Sequence, residues 1–204
     1  MKQRYYDGEV PSGKDTSINN KDAAPAVKYL FQDHFIEELY TALDLGCGRN
    51  ARNSEWLAKK GVHVFRYDPY WGTEEDDAGW LKGKISKNLP HYPYFDNVFS
   101  CFVLNVVTKK VQDGIIKQCK EIAPRRIHIV RNDIVDVAKK ALDSKNSITK
   151  KFYDKHFKKG TIEEFARFGF ITSRGFQRQI DEIKGYELVR KTSGYMIFVE
   201  NADA

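Results

Sequence analysis

Residues 41–50 read Thr41-Ala-Leu-Asp-Leu-Gly-Cys-Gly-Arg-Asn50. A short apolar run carrying an acid (Ala42, Leu43, Asp44, Leu45) meets two glycines one residue apart, Gly46 and Gly48. An amphipathic stretch over 51–60 follows and stops at Gly61. This is the layout of a strand, a tight turn and a helix. Glycine belongs where the backbone takes φ values closed to other residues and lets a ligand approach closely. Asn50 stands where a further glycine often lies, and asparagine tolerates the left-handed region better than most residues. The stretch predicts a nucleotide-type binding turn at the head of a parallel sheet.

Outward from the turn, the chain alternates. Residues 62–67 are β-branched and aromatic and predict a second strand, ending at Asp68 before Pro69. Residues 84–86 predict a short third strand, and the apolar run 96–103 a fourth, buried one. A helix is expected over 109–122, broken by Pro124, with a fifth strand over 126–130. A helical, lysine-rich segment over 134–157 and a helix capped by Thr161 follow, and 185–200 reads as a closing hairpin. Before the turn, residues 1–21 read as an irregular arm. Asp22 then caps a helix with Pro25 in its first turn and Val27, Leu30, Phe31, Phe35 and Leu39 at helical spacing. The expected fold is α/β: one doubly wound, mainly parallel sheet with a C-terminal antiparallel hairpin, in a single domain over 1–204.

Composition narrows the setting. A chain of 204 residues that is 41 % hydrophobic can bury a substantial core. No apolar run reaches membrane-spanning length and no signal peptide opens the chain, so no membrane partner is expected. Cys47, Cys101 and Cys119 lack metal-ligand spacing and are odd in number, which points to a cytoplasmic location and to no metal. The net charge of +6 is concentrated: from Lys139 to Lys159 eight lysines face two aspartates, which matches the whole excess. That segment is either a solvated helix face or a surface for a polyanion such as nucleic acid. The oligomeric state is not legible.

The spacing Gly46-x-Gly48-x-x-Ala51 also satisfies the dinucleotide pattern, which keeps an NAD-dependent oxidoreductase as one reading. Asp44 weighs against it, because a carboxylate there would repel a pyrophosphate yet suits a ligand carrying ammonium and sulfonium charges. With the motif Asp44-Leu-Gly-Cys-Gly-Arg-Asn50, the second-strand acid Asp68 and the hairpin over 185–200, the chain resembles the class I S-adenosylmethionine-dependent methyltransferases. Residues 102–107 and 172–177 are also similar to small bacterial and phage methyltransferases, some of them encoded beside DNA-modification genes. The family's Pro-Gly-Gly before the fifth strand is replaced by Ala123-Pro124-Arg125-Arg126.

The resemblance implies S-adenosylmethionine as cofactor. Asp44, Gly46 and Gly48 would line its methionine part, Asp68 would hold the ribose hydroxyls, and Pro69 and Tyr70 would flank the adenine; Cys47 and Asn50 of the same turn would also be cofactor-binding. Ser86 and Lys87 fall near the family's third motif. Methyl transfer from a sulfonium is an in-line displacement in which orientation can supply about 7–11 kcal/mol, so no particular catalytic group is compulsory. Candidates lie beyond the carboxyl ends of the strands. Asn105 would orient a substrate donor or cap a turn; Asp133 would take a proton or cap the next helix. His91, Tyr94, Arg131, Arg174 and Gln177 are candidate substrate contacts, with residues 134–180 as a substrate-side helical insertion. The Asp/Asn-Pro-Pro-aromatic signature of amino-directed DNA methyltransferases and the Pro-Cys of cytosine-C5 enzymes are both missing. The sequence leans to a methyltransferase acting on nucleic acid or a modified nucleotide. A small-molecule or protein methyltransferase and a non-catalytic cofactor-binding module stay open beside it.

Overall fold

The computed structural model describes residues 21–75, 78–80, 82–89, 95–143, 147–157, 159–172 and 175–201. At its centre lies a six-stranded sheet made of β1 (Thr41–Leu45), β2 (His63–Tyr67), β3 (Asn97–Cys101), β4 (Arg125–Arg131), β7 (Glu187–Lys191) and β8 (Tyr195–Asn201), in the order β2-β1-β3-β4-β8-β7. The first four are parallel, whereas β8 runs antiparallel to both β4 and β7. The chain leaves β1 outward to β2 and returns on the other side to β3. That switch point opens a crevice at the carboxyl ends of the strands, and the glycine turn sits there.

Two layers cover the sheet. Ala42, Val64, Phe99, Ile127 and Ile129 pack with α1 (Pro25–Gln32) and α2 (Arg52–Ala58) on one face. Leu43, Phe65 and Val98 pack against α3 (Lys109–Ile122) on the other, where Val130, Met196 and Phe198 also meet Ile180 and Ile183. Strands apolar on both faces are what a parallel sheet sandwiched between helices requires. Between β4 and β7 the chain forms α4 (Ile134–Asp143), α5 (Ile148–His156) and α6 (Ile162–Phe168), then a small hairpin of β5 (Phe170–Thr172) and β6 (Gly175–Gln177). These elements share an apolar cluster of their own around Phe152, Phe165 and Phe170.

Three local expectations are corrected. The first helix ends at Gln32, because His34 takes φ 60° and breaks the ladder; Leu39 lies beyond it and is 76 % exposed. Its N-cap is Ala24, not Asp22, which instead accepts from Ala23 N. The third strand shrinks to isolated bridges from Ser86 to Tyr67 and Thr73, since only Ile85 and Ser86 of that stretch are buried and Gly83 turns at φ 78°. The helical, lysine-rich segment comprises two helices, over Ile134–Asp143 and Ile148–His156, with Ser147 capping the second through Lys150 N. The fourth and fifth predicted strands are β3 and β4, and the helix over 109–122 stands as expected.

Candidate functional site

The glycine turn is built by its backbone. Gly46 and Gly48 take φ 76° and 70°, and the N–H groups of Gly46 and Cys47 both donate to Tyr67 O, at 2.8 and 3.0 Å. A Cβ on Gly46 would lie 2.6 Å from Val103 Cγ2, so the segment following β3 rests directly on the turn. The third left-handed residue is Ala51 (φ 44°), the N-cap of α2, and not Asn50. The turn closes at the third position of the Gly46-x-Gly48-x-x-Ala51 spacing, one residue after Asn50.

Beneath the turn lies Asp44, fully buried. Ser54 Oγ of α2 donates to its Oδ2 at 2.6 Å, while Oδ1 is buried without a partner. Burial raises its pKa to about 7; the Ser54 hydrogen bond and the Arg66 charge on the next strand oppose this, and the Asp68 charge adds to it. A carboxylate caught near neutrality with one orphaned oxygen is ready to gain from a nearby cation. The same burial, with Asp44 and Asp68 nearby, pushes the Cys47 thiol far up, which makes it a poor nucleophile.

Asp68, at the tip of β2, accepts from Gly48 N (3.0 Å) through Oδ2 and from Tyr70 N (2.9 Å) and Trp71 N (3.1 Å) through Oδ1. Three donors fix the carboxylate and leave about one of its roughly four acceptor positions for a ligand hydroxyl. Pro69 and Tyr70 are exposed beside it, and the Arg49 guanidinium lies 5.3 Å over the Trp71 ring. A hollow of about 40 Å³, lined by residues 47–53, occupies the turn. That is below the several hundred Å³ of a typical ligand pocket. Ser86 and Lys87 are engaged elsewhere: Ser86 Oγ donates to Asn88 O (2.6 Å), Lys87 Nζ pairs with Glu74, and Lys87 N donates to Thr73 O.

At the ends of β3 and β4 the candidate catalytic groups are held by their neighbours. Asn105 is fully buried in a 3-10 turn, Leu104–Val106. Its Oδ1 accepts from Arg131 N at 2.6 Å and its Nδ2 donates to Arg178 O at 2.8 Å. Asp133 receives a two-point ion pair from Arg131, 2.8 and 2.7 Å, so both residues lie together at the carboxyl end of β4. Gln177 is buried in β6. His91, Tyr94 and Arg174 lie outside the described residues. Ser54, Arg66, Val103 and Trp71 belong to the site and went unnoticed in the sequence. Only Ser54 left a signal, one turn before the buried Leu57 on the face that α2 turns to the sheet.

A second feature adjoins Asn105. A cleft of about 660 Å³ runs between the first turns of α3 (Lys109, Gln112, Ile116) and the segment 178–184. Arg178 reaches across it to the buried Gln112. Among the described residues, no three His, Cys, Asp or Glu side chains are grouped to hold a metal, and no helix is long and apolar enough to cross a membrane.

No family profile and no curated protein matches the sequence. Solved structures do. The chain superposes with TM-score 0.55 on the Burkholderia thailandensis 1,6-didemethyltoxoflavin-N1-methyltransferase, whose crystal structure holds 1,6-didemethyltoxoflavin and S-adenosylhomocysteine. The two are 12 % identical over 87 % of this chain and 76 % of that one. It also superposes, at TM-score 0.51, on the magnesium protoporphyrin IX methyltransferase of Synechocystis PCC 6803 with bound S-adenosylhomocysteine, 19 % identical over 85 % of this chain and 78 % of that one. The chain has the fold of the class I S-adenosylmethionine-dependent methyltransferases.

Proposed function

On that fold, we propose that this protein is an S-adenosylmethionine-dependent methyltransferase acting on nucleic acid or a modified nucleotide. The observation that carries the cofactor assignment is Asp44, a fully buried carboxylate with an orphaned oxygen under a two-glycine turn. A pyrophosphate gains nothing from such a group, whereas a cationic cofactor does. The residues present fit the cofactor: Asp44 and the Gly46–Gly48 backbone for its charged end, Asp68 for one ribose hydroxyl, Pro69 and Tyr70 beside its base. When bound, the cofactor supplies a methyl group already activated on sulfur.

The protein's own contribution is placement. Asp44 sets the local charge, Asp68 fixes the turn to β2, and the segment after β3 closes over Gly46. Arg131, paired at two points with Asp133, lies at the carboxyl end of β4, where its remaining N–H groups would orient an acceptor phosphate. Lys139, Lys140, Lys151, Lys155 and Lys159 are exposed on or beside α4 and α5, and they support the polyanion reading, although Lys139 and Lys150 also have acidic partners, Asp136 and Asp154. A second reading, a small-molecule acceptor, is favoured by the 660 Å³ cleft beside α3, a volume typical of small-ligand sites.

The test is transfer of radiolabelled methyl groups from S-adenosylmethionine into fractionated nucleic acid, protein and metabolite pools. Label in nucleic acid is the expected result, lost in Asp44→Ala; label in the metabolite pool alone selects the small-acceptor reading. Binding to DNA or RNA should fall steeply with salt, with a log–log slope of about −0.7 to −0.9 per phosphate contacted. Undetectable binding at low salt would end the nucleic-acid reading.

A further inference from the structure

Asn105 joins three parts of the molecule. Its side chain accepts from the end of β4 (Arg131 N) and donates to Arg178 O, and its backbone carbonyl accepts from Arg178 N at 2.8 Å. Arg178 belongs to the segment that returns from the helical insertion, and the next residue, Gln179, donates through its backbone N–H to Ala166 O of α6 at 2.8 Å. Two residues before Asn105, Val103 rests on Gly46 so closely that a Cβ there would meet it at 2.6 Å. Between them runs a single 3-10 turn, closed by Val106 N donating to Val103 O and preceded by Phe102 at φ 64°, a region costly for a bulky side chain. A continuous path of contacts therefore leads from α6 through residues 178–179, the buried Asn105 and the half-buried Val103 to the glycine turn.

We propose that Asn105 is a positioning residue that couples the helical insertion to the glycine turn, so that the seating of Val103 over Gly46, and with it cofactor affinity, depends on how the insertion is held. The cofactor part rests on the function proposed above; the mechanical part does not. Coupling of this kind is reciprocal: whatever binds the insertion and shifts residues 178–179 alters the turn, and a ligand at the turn alters affinity at the insertion by the same factor. The amide suits the task because it is both acceptor and donor. A carboxylate at the same place would keep the bond from Arg131 N and turn an acceptor against Arg178 O.

Amide hydrogen exchange in the ligand-free protein tests the coupling. Asn105→Asp, chosen because it retains the β4 bond, should speed exchange at residues 46–51 by about tenfold, the scale of one lost buried hydrogen bond, with β8 protected as before. Val103→Ala should loosen the same residues, and the double variant should exceed Val103→Ala by little, since the path would already be cut. Faster exchange at 175–180 with 46–51 unchanged overturns the proposal, as does a uniform increase across the sheet, which marks a merely structural role. Strictly additive effects in the double variant overturn it too. Calorimetry with S-adenosylhomocysteine then reads the consequence, an affinity about tenfold weaker in Asn105→Asp. Failure of the wild-type protein to bind it counts against the function above and leaves the exchange result to decide the coupling.

Discussion

Asp44 is a residue whose cost and use have the same cause. Removing its carboxylate from water raises its pKa from 3.8 to about 7, so the folded chain must hold or lose a proton where the unfolded chain is already ionised. Asp44→Asn should therefore stabilise the ligand-free protein at pH 8, on the order of 1–3 kcal/mol by urea titration. The same change should weaken S-adenosylmethionine binding by tenfold or more in calorimetry. Affinity of the wild-type protein should also rise as pH passes upward through about 7, more for S-adenosylmethionine than for the sulfonium-free S-adenosylhomocysteine. Ala51 bears a different strain. An L-residue at φ 44° pays roughly 1–2 kcal/mol for the left-handed region, and glycine pays nothing there. Ala51→Gly should raise the urea midpoint by up to about 1 kcal/mol of stability, at unchanged slope. A loss of stability would show that its methyl, which is buried, matters more than its backbone.

At the scale of elements, the insertion is held by its own small core. Phe165 is fully buried, stacks on Phe170 at 5.1 Å and meets Tyr153 edge-on at 4.9 Å; α6 begins with a reciprocal capping box between Thr161 and Glu164. Phe165→Ala should remove about 3–5 kcal/mol from this unit, enough to open residues 134–180 while β1–β4 stay paired. Hydrogen exchange should show the two regions parting, with α4–α6 losing protection first. Simultaneous loss in both regions would mean that the insertion and the sheet fold as one cooperative unit. The glycine turn is the opposite kind of element, with little packing and conformations fixed by backbone hydrogen bonds to Tyr67 and Asp68. Its order is borrowed from β2 and from Val103.

Across the whole molecule two buried groups titrate against each other. His128 is fully buried on β4, bonded through Nδ1 to Ser100 Oγ at 2.8 Å, and burial lowers its pKa from 6.5 to about 4. The unfolded chain takes up that proton first, so stability from His128 is complete above about pH 6.5 and is lost as pH falls toward 4. Asp44 has the reverse sign: its contribution is complete below about pH 4 and is lost as pH rises through 7. Between about pH 4 and 6.5 the two slopes, each about 1.4 kcal/mol per pH unit, oppose one another. Asp44→Asn should unmask the His128 slope, giving stability that rises with pH in that window. A variant as insensitive to pH as the parent would show that His128 is not the opposing group.

Much of this architecture was legible because its causes are local. The strand–turn–helix over 41–60, α3 at residues 109–122, the Thr161 cap and the closing hairpin each follow from apolar period, cap chemistry or glycine spacing within a few residues. Asp44 and Asp68 were singled out by position alone, and both line the turn. The tertiary structure decided what depends on partners distant in sequence. It reduced the third strand to bridges on Ser86, since one short buried pair cannot sustain a ladder. It turned Asn105 inward to Arg131 and Arg178, because a buried amide must find its donors and acceptors wherever the chain brings them. It also chose Val103 to cover Gly46, a contact across 57 residues that no local pattern announces. The sequence determined which backbone turn could be made; packing between elements distant along the chain decided which side chains surround it.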